Sequence, residues 1–349
     1  MKKVLATILA LVMALSVTTM AWADDVAKIG NTGYATLKAA IEHVADGETI
    51  VLTADVNNGD GIVVASGKNF TLDFAGHTYT ITQNVVGSTG TENQCFQLLR
   101  DSTITMKDGA IVANCTGAKM IIQNYCNLTL DNMKLDATVG DNNVGYVVSN
   151  NCGIVFIKNG TTITAKTTGV AFDVYGGFQN YGDVSVTLEA GATVNGKVEV
   201  ARDTGTQNKN TLTVTGGTVN GELVVTENEK TKVAVTGGTF STDVTEYLAE
   251  GKILQKNGDT YTAVTNSAIT SGTYTSEPTV PSGYKATKND DGTWTVSKVS
   301  YYYYQPTTDT KTTDTKGSPK TFDAGIALYV GMALTSAAGV AFVGKKRED

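Results

Sequence analysis

STITMKDGAIV (102–112), GIVFIKNGTTI (153–163), VSVTLEAGATV (184–194), TLTVTGGTV (211–219) and KVAVTGGTF (232–240) decide how this chain folds. Each alternates apolar and polar residues over a short strand, reaches a Gly and resumes as a second short strand. That period of two is what a strand with one buried face requires. NLTLDNMKL (127–135) is a version without the Gly, and FTLDFAGHTYTI (70–81) has its Gly shifted by one. A further strand precedes the units: GIVVAS (61–66), CFQLLR (95–100), KMIIQN (119–124), GYVVSN (145–150), KVEVAR (197–202) and ELVVTE (222–227). Val64, Leu98, Ile122 and Val148 each lie six residues before Phe70, Ile104, Leu128 and Ile154. Gly160, Gly191, Gly217 and Gly238 follow one another at intervals of 31, 26 and 21 residues. Two or three strands per repeat cannot bury an inward face alone, so each coil must stack on the next, at about 4.8 Å per coil. The same strands could also form a β-sandwich, which needs hairpin signals between them. Asn159-Gly160 and Asp108-Gly109 supply two, but the recurring six-residue spacing favours stacking.

Composition agrees. The chain has 349 residues with 37 Gly and only four prolines (Pro278, Pro281, Pro306 and Pro319), so residues 1–277 hold none. Pro cannot donate to a ladder, and a paired strand needs its N–H groups. Gly, Thr and Val also argue against a helical protein. The 27 Lys and Arg against 34 Asp and Glu give a net charge of −7, with no basic block outside the ends. Nucleic acid is therefore excluded as a partner. The four cysteines (Cys95, Cys115, Cys126 and Cys152) form no C-x-x-C pair, so neither a zinc site nor another cofactor is expected.

Residues 30–264 resemble the right-handed parallel β-helix, or pectin-lyase-like, proteins. YATLKAAIEHVADGETIVLTADV (34–56) adds to the resemblance. It holds an amphipathic helix with Leu37, Ala40, Ile41 and Val44 on one face, stopped by Gly47 and followed by a strand from Thr49 to Leu52. Such a helix can cover the open end of a coil stack. TFSTDVTEYLAEGKILQKNGDTYTAV (239–264) and TYTSEPTVPSGYKATKNDDGTWTVSKV (273–299) resemble C-terminal modules of bacterial surface β-helix proteins. The expected fold is all-β: a right-handed parallel β-helix over 24–264 with an N-terminal capping helix, then a small β module over 265–299, with a C-terminal transmembrane helix over 324–343.

The ends predict export and anchoring. Residues 1–23 read as a secretory signal peptide, with Lys2 and Lys3, an apolar stretch and Ala21-Trp22-Ala23 for cleavage after Ala23. Residues 300–317 repeat Thr, Asp and Lys as a disordered spacer. The Tyr301 to Tyr304 run belongs either to this spacer or to the module before it. Over 318–349, Ser318-Pro319-Lys320-Thr321-Phe322 precedes an apolar span (324–343) and the basic Lys345, Lys346 and Arg347. This resembles the sorting signal of Gram-positive surface proteins, in which sortase cuts an LPxTG-type pentapeptide after its Thr. Pro319 and Thr321 match, while Ser318 and Phe322 replace the usual Leu and Gly. A plain transmembrane anchor is the alternative, and both place the body outside the cell.

Catalytic signatures are sparse. Enzymes of the resembled fold use clustered carboxylates with a basic residue or a His. Here Asp73, Asp101, Asp108, Asp131 and Asp173 are spread over different coils. Arg100 and Arg202 read as solvated rim residues, and His43 and His77 as surface residues. In FDVYGGFQNYGD (172–183), Tyr175, Phe178 and Tyr181 lie in a Gly-containing loop with Asp173, Gln179 and Asn180. Rings beside amides suit stacking on sugars; the alternative is that they pack on the coil beneath. Thr71, Thr103, Thr105, Thr129, Thr187, Thr213 and Thr215 are read as strand formers that could form outward ladders. Cys126 and Cys152 occupy equivalent places in neighbouring coils, as do Asn124 and Asn150, which allows a disulfide Cys126–Cys152 or a structural stack. The sequence thus points to a non-enzymatic, surface-anchored β-helix for adhesion, glycan or host-matrix binding or a structural surface role. The alternative is a polysaccharide lyase or glycoside hydrolase of that fold.

Overall fold

Each alternating segment pairs in parallel with its counterpart one repeat further on, and the pairing generates three faces. The computed structural model describes residues 25–203 and 205–300. The signal peptide expected at 1–23, the spacer expected at 300–317 apart from Ser300, and the pentapeptide and apolar span expected beyond it lie outside the described residues. No helix among the described residues is long and apolar enough to cross a membrane. The body is nearly all β, with parallel sheets, and is solenoid-like.

The first face runs from Thr49–Leu52 through Asn69–Asp73, the first halves of Thr103–Ala113 and Asn127–Asp136, Gly153–Ile157, Val184–Leu188 and Asn210–Val214 to Thr231–Val235. The second runs from Val56–Asp60 and Thr78–Gln83 through the second halves of the same two long strands to Thr162–Thr164, Thr193–Asn195, Thr218–Asn220 and Thr239–Phe240. The third is a separate seven-stranded sheet, from Ile62–Val64 through Gln94–Leu98, Met120–Asn124, Tyr146–Asn150, Val170–Val174 and Lys197–Val200 to Leu223–Val225. The parallel register settles the choice against the sandwich.

Packing follows the register. Ile50, Leu72, Met106, Leu130, Ile157, Leu188, Val214 and Val235 form one column through the first face, each buried. Phe96, Ile122, Val148, Phe172 and Val198 form the facing column of the third. Between first and second faces the chain turns through a left-handed residue in six successive coils: Asp108 (φ 57), Asn132 (φ 52), Gly160 (φ 78), Gly191 (φ 81), Gly217 (φ 82) and Gly238 (φ 106). Asp and Asn tolerate that conformation better than other side chains, so 127–135 needs no Gly. In 102–112 the corner is Asp108, not the neighbouring glycine. Gly109 is required for a different reason: a Cβ there would lie 2.2 Å from the Phe74 Cβ.

The six-residue spacing is not uniform. Leu128 pairs with Val155, and Ile154 faces solvent at 52% exposure. Gly153, at φ 91, lengthens that turn, and a Cβ on it would meet the Cys126 carbonyl oxygen at 2.3 Å.

The helix forms over Leu37–His43, capped by Thr36, whose Oγ1 accepts from Ala39 N at 3.1 Å. Leu37, Ala40, Ile41 and Val44 are buried. The first face is also closed by a hairpin the sequence reading missed, Ala27–Ile29 with Thr32–Tyr34, which pairs antiparallel with Thr49–Leu52. At the other end, Thr239–Phe240 pairs antiparallel with Thr260–Thr265, and Lys252–Asn257 pairs with both Thr260–Thr265 and Gly272–Tyr274. A second small core gathers Ile253, Ile269, Tyr274 and Val296, so the terminal module shares a core residue with the first C-terminal unit.

Candidate functional site

Val170–Val174 is a strand of the third face, so Asp173 does not belong to the loop in which the sequence reading placed it. The loop proper begins at Tyr175 and is supported by neighbours from the next coil. Asn210 Oδ1 accepts from Gly176 N at 2.6 Å, and Asn208 Nδ2 donates to the carbonyls of Gly176 (3.1 Å) and Phe178 (2.8 Å). Gly177 admits the Tyr175 ring, whose Cζ would lie 2.1 Å from a Cβ at that position. Asn180 adopts φ 67, and its carbonyl accepts from Arg100 Nη1 at 3.0 Å. Arg100 lies 80 residues earlier in the chain, so the loop reaches back across several coils.

The loop brings three of its rings together and adds one the sequence reading missed. Phe178 lies 5.6 Å from Tyr181 and 6.2 Å from Tyr175 between centroids, and Tyr125 lies 5.2 Å from Tyr181 and 6.1 Å from Phe178. Phe178 and Tyr181 remain 41% and 40% exposed, so packing on the coil covers only part of each ring. Gln179 is exposed beside them. Both arginines, expected on the rim, engage this surface. Arg100 stacks over Tyr181 at 4.8 Å, and Arg202 stacks over Tyr175 at 4.7 Å and Tyr146 at 4.8 Å. A groove of ≈ 460 Å³ runs alongside, lined by Arg100, Asp101, Tyr125, Asn127, Tyr181 and Asp183 among others. Tyr125 could have been found from register. Tyr125 N bonds to Leu98 O, and Tyr175 N to Asn150 O, so the two hold the same turn position two coils apart.

Beneath the rings lies a polar column on the outer side of the third face: Gln97, Gln123, Ser149, Asp173 and Glu199. Asp173 is buried (1% exposed) and accepts from Arg202 Nη2 at 2.8 Å, Asn150 N at 2.6 Å and Ser149 Oγ at 3.3 Å. Burial nevertheless dominates and pushes its carboxyl up to about 6. Glu199 accepts from Tyr146 Oη at 3.1 Å and pairs with Lys197 at 2.8 Å. Elsewhere, Lys107 sits between Asp73 (2.8 Å) and Asp108 (2.9 Å). These carboxylates, Asp73 foremost, hold its ammonium protonated, above its usual range.

Among the described residues no group of three or more His, Cys, Asp or Glu is gathered to hold a metal ion. Asn124 and Asn150 are in register and their amides bond at 3.2 Å, an amide ladder as expected. The Cys126–Cys152 bridge is not formed: all four cysteines are free thiols. Cys126 Sγ donates to Asn124 Oδ1 at 3.2 Å within its own turn, and Cys152 Sγ donates to Tyr125 O at 2.9 Å in the neighbouring coil. Burial pushes Cys126 up to about 12 and Cys152 up to about 11, while a hydrogen bond from Cys95 brings Cys115 down to about 7. Iodoacetamide at neutral pH is accordingly expected to label Cys115 first, at least tenfold faster than Cys126 or Cys152. Peptide mass mapping over a time course checks this; equal rates would contradict it.

Five threonines of the first face stand in one column, Thr71, Thr105, Thr129, Thr187 and Thr213, but Phe156 interrupts it between Thr129 and Thr187, and Thr103 is in register with Asn69 and Asn127 instead. The array is therefore not continuous. Comparison with protein-family models, curated proteins and solved structures finds no match.

Proposed function

We propose that this is a surface-displayed right-handed parallel β-helix, of pectin-lyase-like architecture, that binds glycan through the 175–183 loop without transforming it. One observation carries the reading: Phe178 and Tyr181 expose their rings on a loop fixed by Asn208, Asn210 and Arg100. Rings held in place lose little entropy on stacking against a sugar face, and Gln179 offers an amide beside them. The signal sequence ending at Ala23 and the pattern from Ser318 to the C-terminus support display outside a Gram-positive cell, through sortase or as a membrane anchor. Adhesion to a glycan-bearing surface or host matrix is the role that fits.

A glycan array tests it. The parent chain is expected to retain a ligand, and Phe178→Ala and Tyr181→Ala are each expected to weaken retention about tenfold. Retention untouched by both changes would falsify the loop as the site. Attachment is tested separately: release from cells by a wall-degrading enzyme supports sortase processing, and release by detergent alone supports a membrane anchor.

A second reading, carbohydrate-active chemistry, rests on Asp173 and Glu199. They are adjacent in register, and one has its carboxyl pushed up to about 6. Asp173 is covered, however, and its oxygens are committed to Arg202, Asn150 and Ser149. Product release from a bound glycan, lost in Glu199→Gln, would favour this reading over the first.

A further inference from the structure

The third face ends on an open edge. Among the described residues its last strand, Leu223–Val225, has a neighbour on one side only, Lys197–Val200. In a parallel ladder a residue turns both its backbone groups to the same neighbour, and the next residue turns them the other way. Glu222 O accepts from Val198 N and Thr226 N donates to Val200 O, each at 2.9 Å. Residues 222, 224 and 226 therefore face the occupied side, and Leu223 and Val225 direct their N–H and C=O groups to the empty one. Among the described residues no backbone bond from outside the ladder reaches either. The other faces are continued at this end: Thr239–Phe240 pairs with Thr260–Thr265, and Val235 bridges Leu248.

A groove of ≈ 390 Å³ lies at that edge, with Val225, Val233 and Tyr247 as its apolar lining and Glu227 and Glu229 among its walls. Glu227 and Glu229 are exposed. Lys230, between the groove and the neighbouring coil, is committed to the Gln207 carbonyl at 2.8 Å. Thr231 also lines the groove, and its Oγ1 is buried with no hydrogen-bond partner. Buried hydroxyls are normally satisfied, so this one marks a place for a group from outside. An unpaired edge, an apolar lining, an unsatisfied hydroxyl and an acidic wall coincide.

We propose that this edge accepts an extended, lysine-bearing strand of a partner protein, added in register beyond Leu223–Val225. Its backbone pairs with Leu223 and Val225, alternate apolar side chains rest on Val225, Val233 and Tyr247, and its ammonium groups meet Glu227 and Glu229. This site is independent of the aromatic loop.

The test uses the purified full chain and two labelled synthetic peptides, acetyl-KVTVKV-amide and acetyl-EVTVEV-amide, followed by fluorescence anisotropy. The lysine peptide is expected to saturate and the glutamate peptide to bind at least tenfold more weakly. Val225→Pro removes one outward N–H while leaving the ladder to Lys197–Val200 intact, and is expected to weaken the lysine peptide about tenfold or more. Glu227→Lys combined with Glu229→Lys touches no ladder bond and is expected to transfer the preference to the glutamate peptide. An unchanged thermal transition in this second variant separates loss of binding from loss of fold. Equal binding of both peptides, indifference to both variants, or no binding at millimolar peptide overturns the proposal. Self-association of the chain that Val225→Pro abolishes would overturn it too, by making a second copy the occupant.

Discussion

Phe172→Ala is expected to lower the unfolding free energy by about 3–5 kcal/mol, the range for emptying a well-packed aromatic site. Phe172 is 1% exposed and stands in the third-face column between Val148 and Val198. A coil in such a stack cannot refill the space by shifting, because each strand is held in register by a ladder on both sides. The lost contacts belong to the coils above and below as well, since repeats are stabilised through their interfaces. Hydrogen exchange is therefore expected to quicken first in Tyr146–Asn150, Val170–Val174 and Lys197–Val200, with the N-terminal hairpin and the small core around Ile253 slower to respond. Because Asp173 and Tyr175 lie on the same stretch of chain, glycan retention should fall along with stability. A loss under about 1 kcal/mol, or exchange that quickens evenly from end to end, would show that the column does not carry the load assigned to it.

The alternation in segments such as VSVTLEAGATV is enough to give strands, inward faces and stacking, because side-chain direction in a strand depends only on parity. Corners were legible where Gly occupies them and misplaced where Asp108 does, since left-handed backbone is a property of position that Gly only makes easier. Ile154 looked like a core residue by its spacing and is exposed, because one extra residue in a turn reverses the parity of the strand after it. For the site, the aromatic residues of 175–183 were legible as a cluster because they are local in sequence. Tyr125, Tyr146, Arg100 and Arg202 were not, because their approach depends on how many coils the loop crosses. The open edge at Leu223–Val225 was likewise hidden: ELVVTE looks like the other third-face segments, and only the strand missing beyond it distinguishes it.

Asp173→Asn is expected to change how stability depends on pH. The folded carboxyl is pushed up to about 6 by burial, above the ordinary Asp value of about 3.9. The folded state therefore binds the proton more tightly than the unfolded state, and the stabilisation that comes with protonation is complete below about pH 4 and lost as pH rises through about 6. Relative to the parent, the Asn variant should gain with rising pH across that window, by up to about 1.4 kcal/mol per unit, and track the parent outside it. Arg202→Leu pushes the other way. It strips Asp173 of its 2.8 Å partner, so ionising the carboxyl becomes costlier. The loss should reach about 3 kcal/mol at pH 7 and shrink toward pH 4, where the carboxyl is neutral. Chemical denaturation of the three chains at pH 4, 5, 6 and 7 reads both trends. Parallel curves for parent and Asp173→Asn would mean the carboxyl titrates as if exposed. An Arg202→Leu loss equal at pH 4 and 7 would assign the role of Arg202 to stacking on Tyr146 and Tyr175 instead of to the charge pair.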